Sequence, residues 1–549
     1  VPIDTTVTAP VTDVPPPDVP PDPEEPPPVI TTGRAVTITI GGQHHQFAQE
    51  GGADLGDYVG PHFTQHCIMA TNSALPALSV MFRPDADGKR EEVVFELGAI
   101  WPTEPAANLG AYTATISKDG ATLATVSVPQ HFWFSRWRWC SAPRPVIAEV
   151  SDLVAGGLVP RFDLTAGGNL TPPSLPVTYV GPMDLAGITP YMPQTGNRYD
   201  IGIVTEWQAD YLCTCSAASL TSTLAQLEGS GTLPWHYRDE TTGAPLDTAV
   251  YLRASSFNQW ESDPYIPWSV GNTGIELDTS HEPDLAFVPF ILTGDPYAIE
   301  EMQFAVTYNV IKQNPAYRNS YNMTGALRAH AWALRTMANA ARCTPDNVPK
   351  WLLPRAYFRT LLDGNRDYVA GTYAASLANP FRGMCVMEDG QGAPAETYIP
   401  ADCAGAPWWE DYESAVQGHV IQMGFTDWLP NFQWQIQNLV ERTNGTSGWK
   451  RGAAFPYKIA LRADASSPYA TDWANAWHIN CGTGNCVEDT SNDHLPAGDL
   501  TYPSLGLAAL AIAAELGIAG AAACHEWLQG EVHANVASNV TIGARWCVV

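Results

Sequence analysis

Residues 280–304 read SHEPDLAFVPFILTGDPYAIEEMQF. Two apolar stretches flank the corner Thr293-Gly294-Asp295-Pro296. Such a corner stops one helix and starts another: glycine tolerates a left-handed C-cap, aspartate accepts orphan amide hydrogens, and proline needs no N–H at the first helical position. The stretch predicts a helical hairpin. Pro283 fits the first turn of the leading helix, which sets His281 and Glu282 at its N-terminal edge. Anionic groups are favoured there. His281 is a candidate general base or substrate ligand with Glu282 as its polar neighbour; the alternative is an acid that caps the helix beside a loop-bonded histidine.

The same pattern recurs from Arg198 onward. Residues 200–216 precede 217–231, 323–346 precede 349–371, 410–427 precede 428–445, and 502–517 precede 519–532. Each pair joins two apolar-periodic segments through Gly, Thr, Asp or Pro. A sixth pair is expected around Trp473 to His478. Successive antiparallel hairpins with long intervening loops suit an (α/α) toroid over residues 197–549, with an α-solenoid as the alternative. Loops such as GTLPWHYRDETTGAPLDT (231–248) vary too much in length for a fixed solenoid period.

Upstream the period changes to two. AVTITIGG, ALSVMFRP, EEVVFELG, AYTATISKDG and ATLATVSV alternate polar and apolar residues between turn signals, which predicts a β-sandwich over 35–145. HFWFSRWRWC (131–140) reads as its closing strand, with Arg136 and Arg138 expected to face solvent. Residues 146–196 form a Pro/Gly-rich connector. Residues 1–34, rich in proline and acids, form an extended arm that suits tethering or self-association. The fold class expected is therefore multidomain α+β, a β-sandwich followed by a large all-α toroid.

The formal net charge of -29 makes nucleic acid and anionic membrane poor partners. No apolar run reaches the roughly 18–20 residues of a bilayer span. Nineteen tryptophans lean toward carbohydrate contact, since indoles stack on the C–H faces of sugars. Eleven cysteines point to an oxidising, extracellular setting, with Cys67–Cys140, Cys385–Cys403 and Cys481–Cys486 as candidate bridges. The acids Glu488, Asp489 and Asp493 are a candidate for structural calcium; no other cofactor is expected.

SHEPDLAFVPFILTGDPYAIEEMQF and RAHAWALRTMANAA resemble the six-hairpin, toroid-type carbohydrate-active proteins, especially polysaccharide lyases and related glycosidases with a β-sandwich beside the toroid. The likeness covers roughly residues 198–530. It implies an extracellular protein that degrades a polysaccharide or a cell-surface glycan in a Trp-lined funnel. Candidate residues come from the local pattern. Arg328 and Trp332, one helical turn apart, suit a sugar carboxylate and its ring. Trp408 and Trp409 precede Glu410, Asp411 and Tyr412, with His419 on the Tyr412 face. Glu206-Trp207 repeats the pairing of acid and indole. Two acids suit inverting hydrolysis; a tyrosine and histidine beside an arginine suit β-elimination. The other class of reading is a non-catalytic, structural or adhesive subunit of a surface filament or virion appendage.

Overall fold

The structure is a computed structural model and describes residues 33–98, 107–166, 176–194, 198–239, 241–256, 262, 264–266, 273–315, 327–371, 383–384, 403–464, 466–481, 493–498, 500–536 and 542–549. A β-rich N-terminal region precedes a helical C-terminal region. Most of the N-terminal arm lies outside the described residues, as do Cys385, Cys486, Glu488 and Asp489.

Nine strands form two antiparallel sheets: β1 (Arg34–Ile40), β2 (Gln43–Ala48), β3 (Ala53–Val59), β4 (Thr64–Thr71), β5 (Leu78–Phe82), β6 (Glu92–Leu97), β7 (Tyr112–Lys118), β8 (Ala121–Val128) and β9 (Ser135–Cys140). One sheet has the order β2-β1-β7-β8, the other β3-β4-β5-β6-β9. Val36, Ile38, Ala114 and Ile116 from the first sheet meet Val80, Phe82, Val93 and Phe95 from the second in one core. Every residue of β6 is buried, because its other face is covered as well.

Helices provide that cover. They are α1 (Val150–Ala155), α2 (Glu206–Thr214), α3 (Ala217–Ser230), α4 (Phe287–Thr293), α5 (Pro296–Ile311), α6 (Leu327–Cys343), α7 (Arg355–Val369), α8 (Pro407–Gln422), α9 (Leu429–Gln435), α10 (Gln437–Thr443), α11 (Trp473–Cys481), α12 (Thr501–Glu515) and α13 (Ala521–Val536). The Thr-Gly-Asp-Pro corner joins α4 to α5: Gly294 takes φ 67° and Asp295 accepts the Tyr297 amide (3.2 Å). Pro283 does not open α4. That helix begins four residues later, where Asp284 accepts the amides of Ala286 and Phe287 (3.2 and 3.0 Å). His281 instead closes a 3-10 turn, Thr279–His281.

Helix α5 is buried along its whole length and presents Glu300 and Glu301 to the second sheet. Arg136 and Arg138 are therefore not solvent-facing. In register with Glu96 and Val94 of β6, they point into the helices. Arg136 Nε donates to Glu301 (2.6 Å), and its Nη1 pairs with Glu300. Glu300 also accepts from Arg83 (2.8 and 3.0 Å) and from Arg238 (2.5 Å), and Arg238 pairs with Glu96 (2.7 and 2.8 Å). His236 completes the group against Glu301 (3.1 Å). Arg138 is engaged by Glu228, Glu92 and Asp295. The alternation reported a polar face correctly, but that face is covered by charges of opposite sign.

Cys67 and Cys140 are thiols, as are Cys213, Cys215, Cys343, Cys524 and Cys547. The expected Cys67–Cys140 bridge is absent: Cys67 packs in the core shared with the helices, and Cys140 lies against Arg90 (2.8 Å). The expected Cys385–Cys403 bridge involves a residue outside the described ones. Cys481 is disulfide-bonded. Among the described residues no helix is long and apolar enough to cross a membrane, and no group of three or more His, Cys, Asp or Glu is placed to hold a metal ion.

Candidate functional site

Helix α8 packs against α6 on one side and α12 on the other. Their second residues meet. Arg328 places its guanidinium 5.0 Å from the Trp408 ring centre, and Trp408 stacks on Tyr502 at 5.7 Å. The N-terminal ends of three helices thus share one neighbourhood, where their peptide dipoles add positive potential. Tyr412, one turn into α8, lies beneath them, edge-on to Trp332 (4.6 Å) and tilted against Trp546 (5.7 Å). Tyr457 adds a ring 5.6 Å from Trp408.

The turn Ala544–Trp546 is held by Glu206, the first residue of α2. Its carboxylate accepts from the Ala544 amide (2.5 Å), the Arg545 amide (3.3 Å) and Arg545 Nη1 (2.6 Å). A side chain at Gly543 would come within 2.5 Å of that carboxylate, so glycine there permits the close approach. Arg545 in turn lies 5.8 Å from Tyr199, whose ring meets Trp207 at 6.2 Å.

At the edge of this cluster Asp278 and His281 form a dyad. Asp278 accepts the Ser280 amide with one oxygen (3.0 Å) and pairs with His281 Nδ1 through the other. That arrangement assigns the proton to Nδ1 and leaves the Nε2 lone pair available. Arg198 fixes the backbone here, donating to the carbonyls of His281 (3.1 Å) and Met192 (2.6 Å) while paired with Asp200 (2.9 Å). Burial lowers the His281 pKa, opposed by the Asp278 bond and reinforced by the charge of Arg328. His281 is therefore neutral at pH 7.

Arg328 is half-buried and differs from the buried arginines in making no hydrogen bond or ion pair among the described residues. Its Nε is buried without a partner, a condition it shares with Arg83, Arg144, Arg335, Arg451 and Arg545. Burial lowers its pKa, with Tyr412, Asp278, Tyr457 and Tyr502 opposing. The indole N–H groups of Trp332, Trp408, Trp409 and Trp546 are likewise buried without acceptors. Trp133, Trp235, Trp351 and Trp428 share that condition elsewhere, so the guanidinium, not the indoles, marks the place. What converges is a set of donors without an acceptor.

Of the residues singled out from sequence, His281, Arg328, Trp408 and Tyr412 come together here, with Trp409 against Trp408 (5.3 Å). Trp207 stands one ring further out. Trp332 is fully buried and supports Tyr412, so it offers no face to a ligand. Glu206 is spent on Arg545. Asp411 is buried against Arg442 (2.5 Å), with burial pushing its pKa up to about 6. Glu410 accepts from Gln435. His419 is buried about 16 Å further along α8 than Trp408, by helical rise, and burial pushes its pKa down to about 4. Asp278, Arg198, Tyr457, Tyr502 and Trp546 were not expected. Only Asp278 had a local signal, its three-residue spacing from His281; the others arrive through tertiary packing.

Glu282 turns away from His281 into the core. Both carboxyl oxygens lack a hydrogen bond, with Arg335, Asn309 and Thr336 nearby, and burial pushes its pKa up to about 8. The folded protein keeps this proton while the unfolded chain releases it near the ordinary value of 4.5. The stability it contributes is thus complete below pH 4.5 and is lost as pH rises toward 8. Glu282→Gln is expected to abolish a loss of roughly 5 kcal/mol across that window, read as unfolding temperature against pH. Equal slopes in both proteins would place the carboxyl in contact with water.

The chain matches no known protein family, no curated protein and no solved structure.

Proposed function

We propose that this is a carbohydrate-active protein that binds a uronate-bearing polysaccharide at the Arg328 cluster and cleaves it by β-elimination. The observation that carries the reading is the unpaired guanidinium among tyrosines, beside a neutral histidine backed by an aspartate. A uronate carboxylate supplies the missing acceptor. Its neutralisation by Arg328 acidifies the adjacent C5–H, whose proton passes to His281 Nε2. The C–H electrons form the C4–C5 double bond, the C4–O4 bond breaks, and O4 takes a proton from Tyr412. Asp278 stabilises the resulting imidazolium. Burial, opposed by Arg328 and Arg545, pushes the Tyr412 pKa up to about 12 and keeps it in the acid form.

Hydrolysis by paired acids is less well supported, because Glu206, Glu410 and Asp411 are all engaged in buried contacts. A toroid is the arrangement we read for the helices: α6, α8 and α12 lie side by side, and the 544–546 turn touches both α12 and α2. A polysaccharide substrate would place the protein outside the cell.

The test is incubation with acidic polysaccharides while following both new reducing ends and the ultraviolet absorbance of unsaturated product. Both signals are expected together. His281→Ala should abolish them, and the acid limb of kcat/KM should lie below the ordinary histidine value of about 6.5. Asp278→Asn should lower kcat and move that limb to lower pH, because the bond it removes raises the His281 pKa. Reducing ends without unsaturated product would sink elimination in favour of hydrolysis.

A further inference from the structure

We infer that the polymer taken by this site carries its uronates singly, separated by neutral sugars, and is not a homopolyuronate; this rests on the elimination reading above. The reason is a shortage of available positive charge. Three guanidiniums act electrically on Tyr412: Arg328, Arg545 and Arg198. Arg545 is spent on Glu206 (2.6 Å), and Arg198 on Asp200 and two backbone carbonyls. Arg335, two turns further along the helix from Arg328, gives its Nη groups to the carbonyls of Gly202 and Glu282 (2.5 and 3.0 Å). Among the described residues, only Arg328 remains for a carboxylate in the cluster. Lys458, which follows Tyr457, has no carboxylate partner among the described residues and adds at most one charge at the edge.

The surroundings oppose further anions. Asp278 contributes a negative charge beside His281, and the whole chain carries -29. A polymer charged on every residue would hold its neighbouring carboxylates within a Debye length of the one bound by Arg328, roughly 10 Å at 0.1 M salt, without partners. The half-buried rings of Trp409, Tyr457 and Tyr502 provide flat apolar surface instead, suited to neutral sugars on either side.

The experiment compares a homopolyuronate with a heteropolysaccharide bearing isolated uronates, at about 0.01 M and about 0.5 M ionic strength. Cleavage and binding by affinity electrophoresis are both measured, for the wild-type protein and His281→Ala. At low salt the sparsely charged polymer is expected to be favoured by about tenfold or more in kcat/KM and in affinity. Salt should narrow the gap by improving the homopolyuronate, since screening removes repulsion. Equal or better use of the homopolyuronate at low salt, or a fall in its rate with salt, would overturn the inference while leaving elimination intact. If neither polymer is cleaved, elimination falls, and the affinity order of the two polymers still decides between sparse and dense charge.

Discussion

Arg328→Met is expected to lower kcat/KM on a uronate polymer by about 10²–10³-fold, the scale on which one preorganised donor acts on a developing anion. The same substitution is expected to leave the unfolding temperature unchanged or raise it. Burial opposes the Arg328 charge, the Asp278 carboxylate offsets this only through space and without a hydrogen bond, and the guanidinium lies 5.0 Å from the Trp408 ring centre. A methionine keeps that apolar contact and removes the desolvated charge. Arg328→Lys should recover only part of the activity, because an ammonium cannot present the planar fork that grips a carboxylate. Loss of activity together with loss of stability would make the guanidinium a structural group. Unchanged activity would remove it from the chemistry altogether.

The largest effect on stability is expected at Glu300. Its carboxylate is fully buried and held well below the usual range by Arg136, Arg83 and Arg238, despite the cost of burial. Glu300→Ala leaves those three guanidiniums facing one another with only Glu96 and Glu301 to balance them. Removing one partner from such a buried network costs about 3–5 kcal/mol, whereas an exposed ion pair is worth about 0–1 kcal/mol. A thermal or urea unfolding curve measures it. The surface pair Arg359–Asp427, at 2.5 Å, is the internal control: Asp427→Asn should move the midpoint little. Comparable shifts at the two sites would mean that the Glu300 network is hydrated. Because it joins β6, β9 and α5, the destabilised protein should lose sheet and helix signals in one transition.

Particular residues show how far local pattern reaches. The Thr293–Pro296 corner was legible because each residue there satisfies a backbone requirement within four positions. The N-cap of α4 was misplaced by four residues, since Pro283 and Asp284 send competing start signals and the aspartate side chain captured the amides. At Arg136 and Arg138 the period of two identified a polar face, but whether water or Glu300 and Glu301 meets that face depends on a segment more than 150 residues away. Glu206 and Asp411 looked like catalytic acids next to indoles. Each found an arginine, Arg545 and Arg442, that no local spacing announces.

The sequence by itself determined six of the nine strands of the two sheets and the paired helical segments, because period, caps and turn chemistry act over a few residues; where α6 and α8 begin, and so the meeting of Arg328, Trp408 and Tyr502 at second helical positions, it did not. Only the tertiary structure decided which charges are neutralised. Partner choice among arginines and carboxylates depends on distances between segments far apart in the chain, and a charge left without a partner can be recognised only after every other one has been paired.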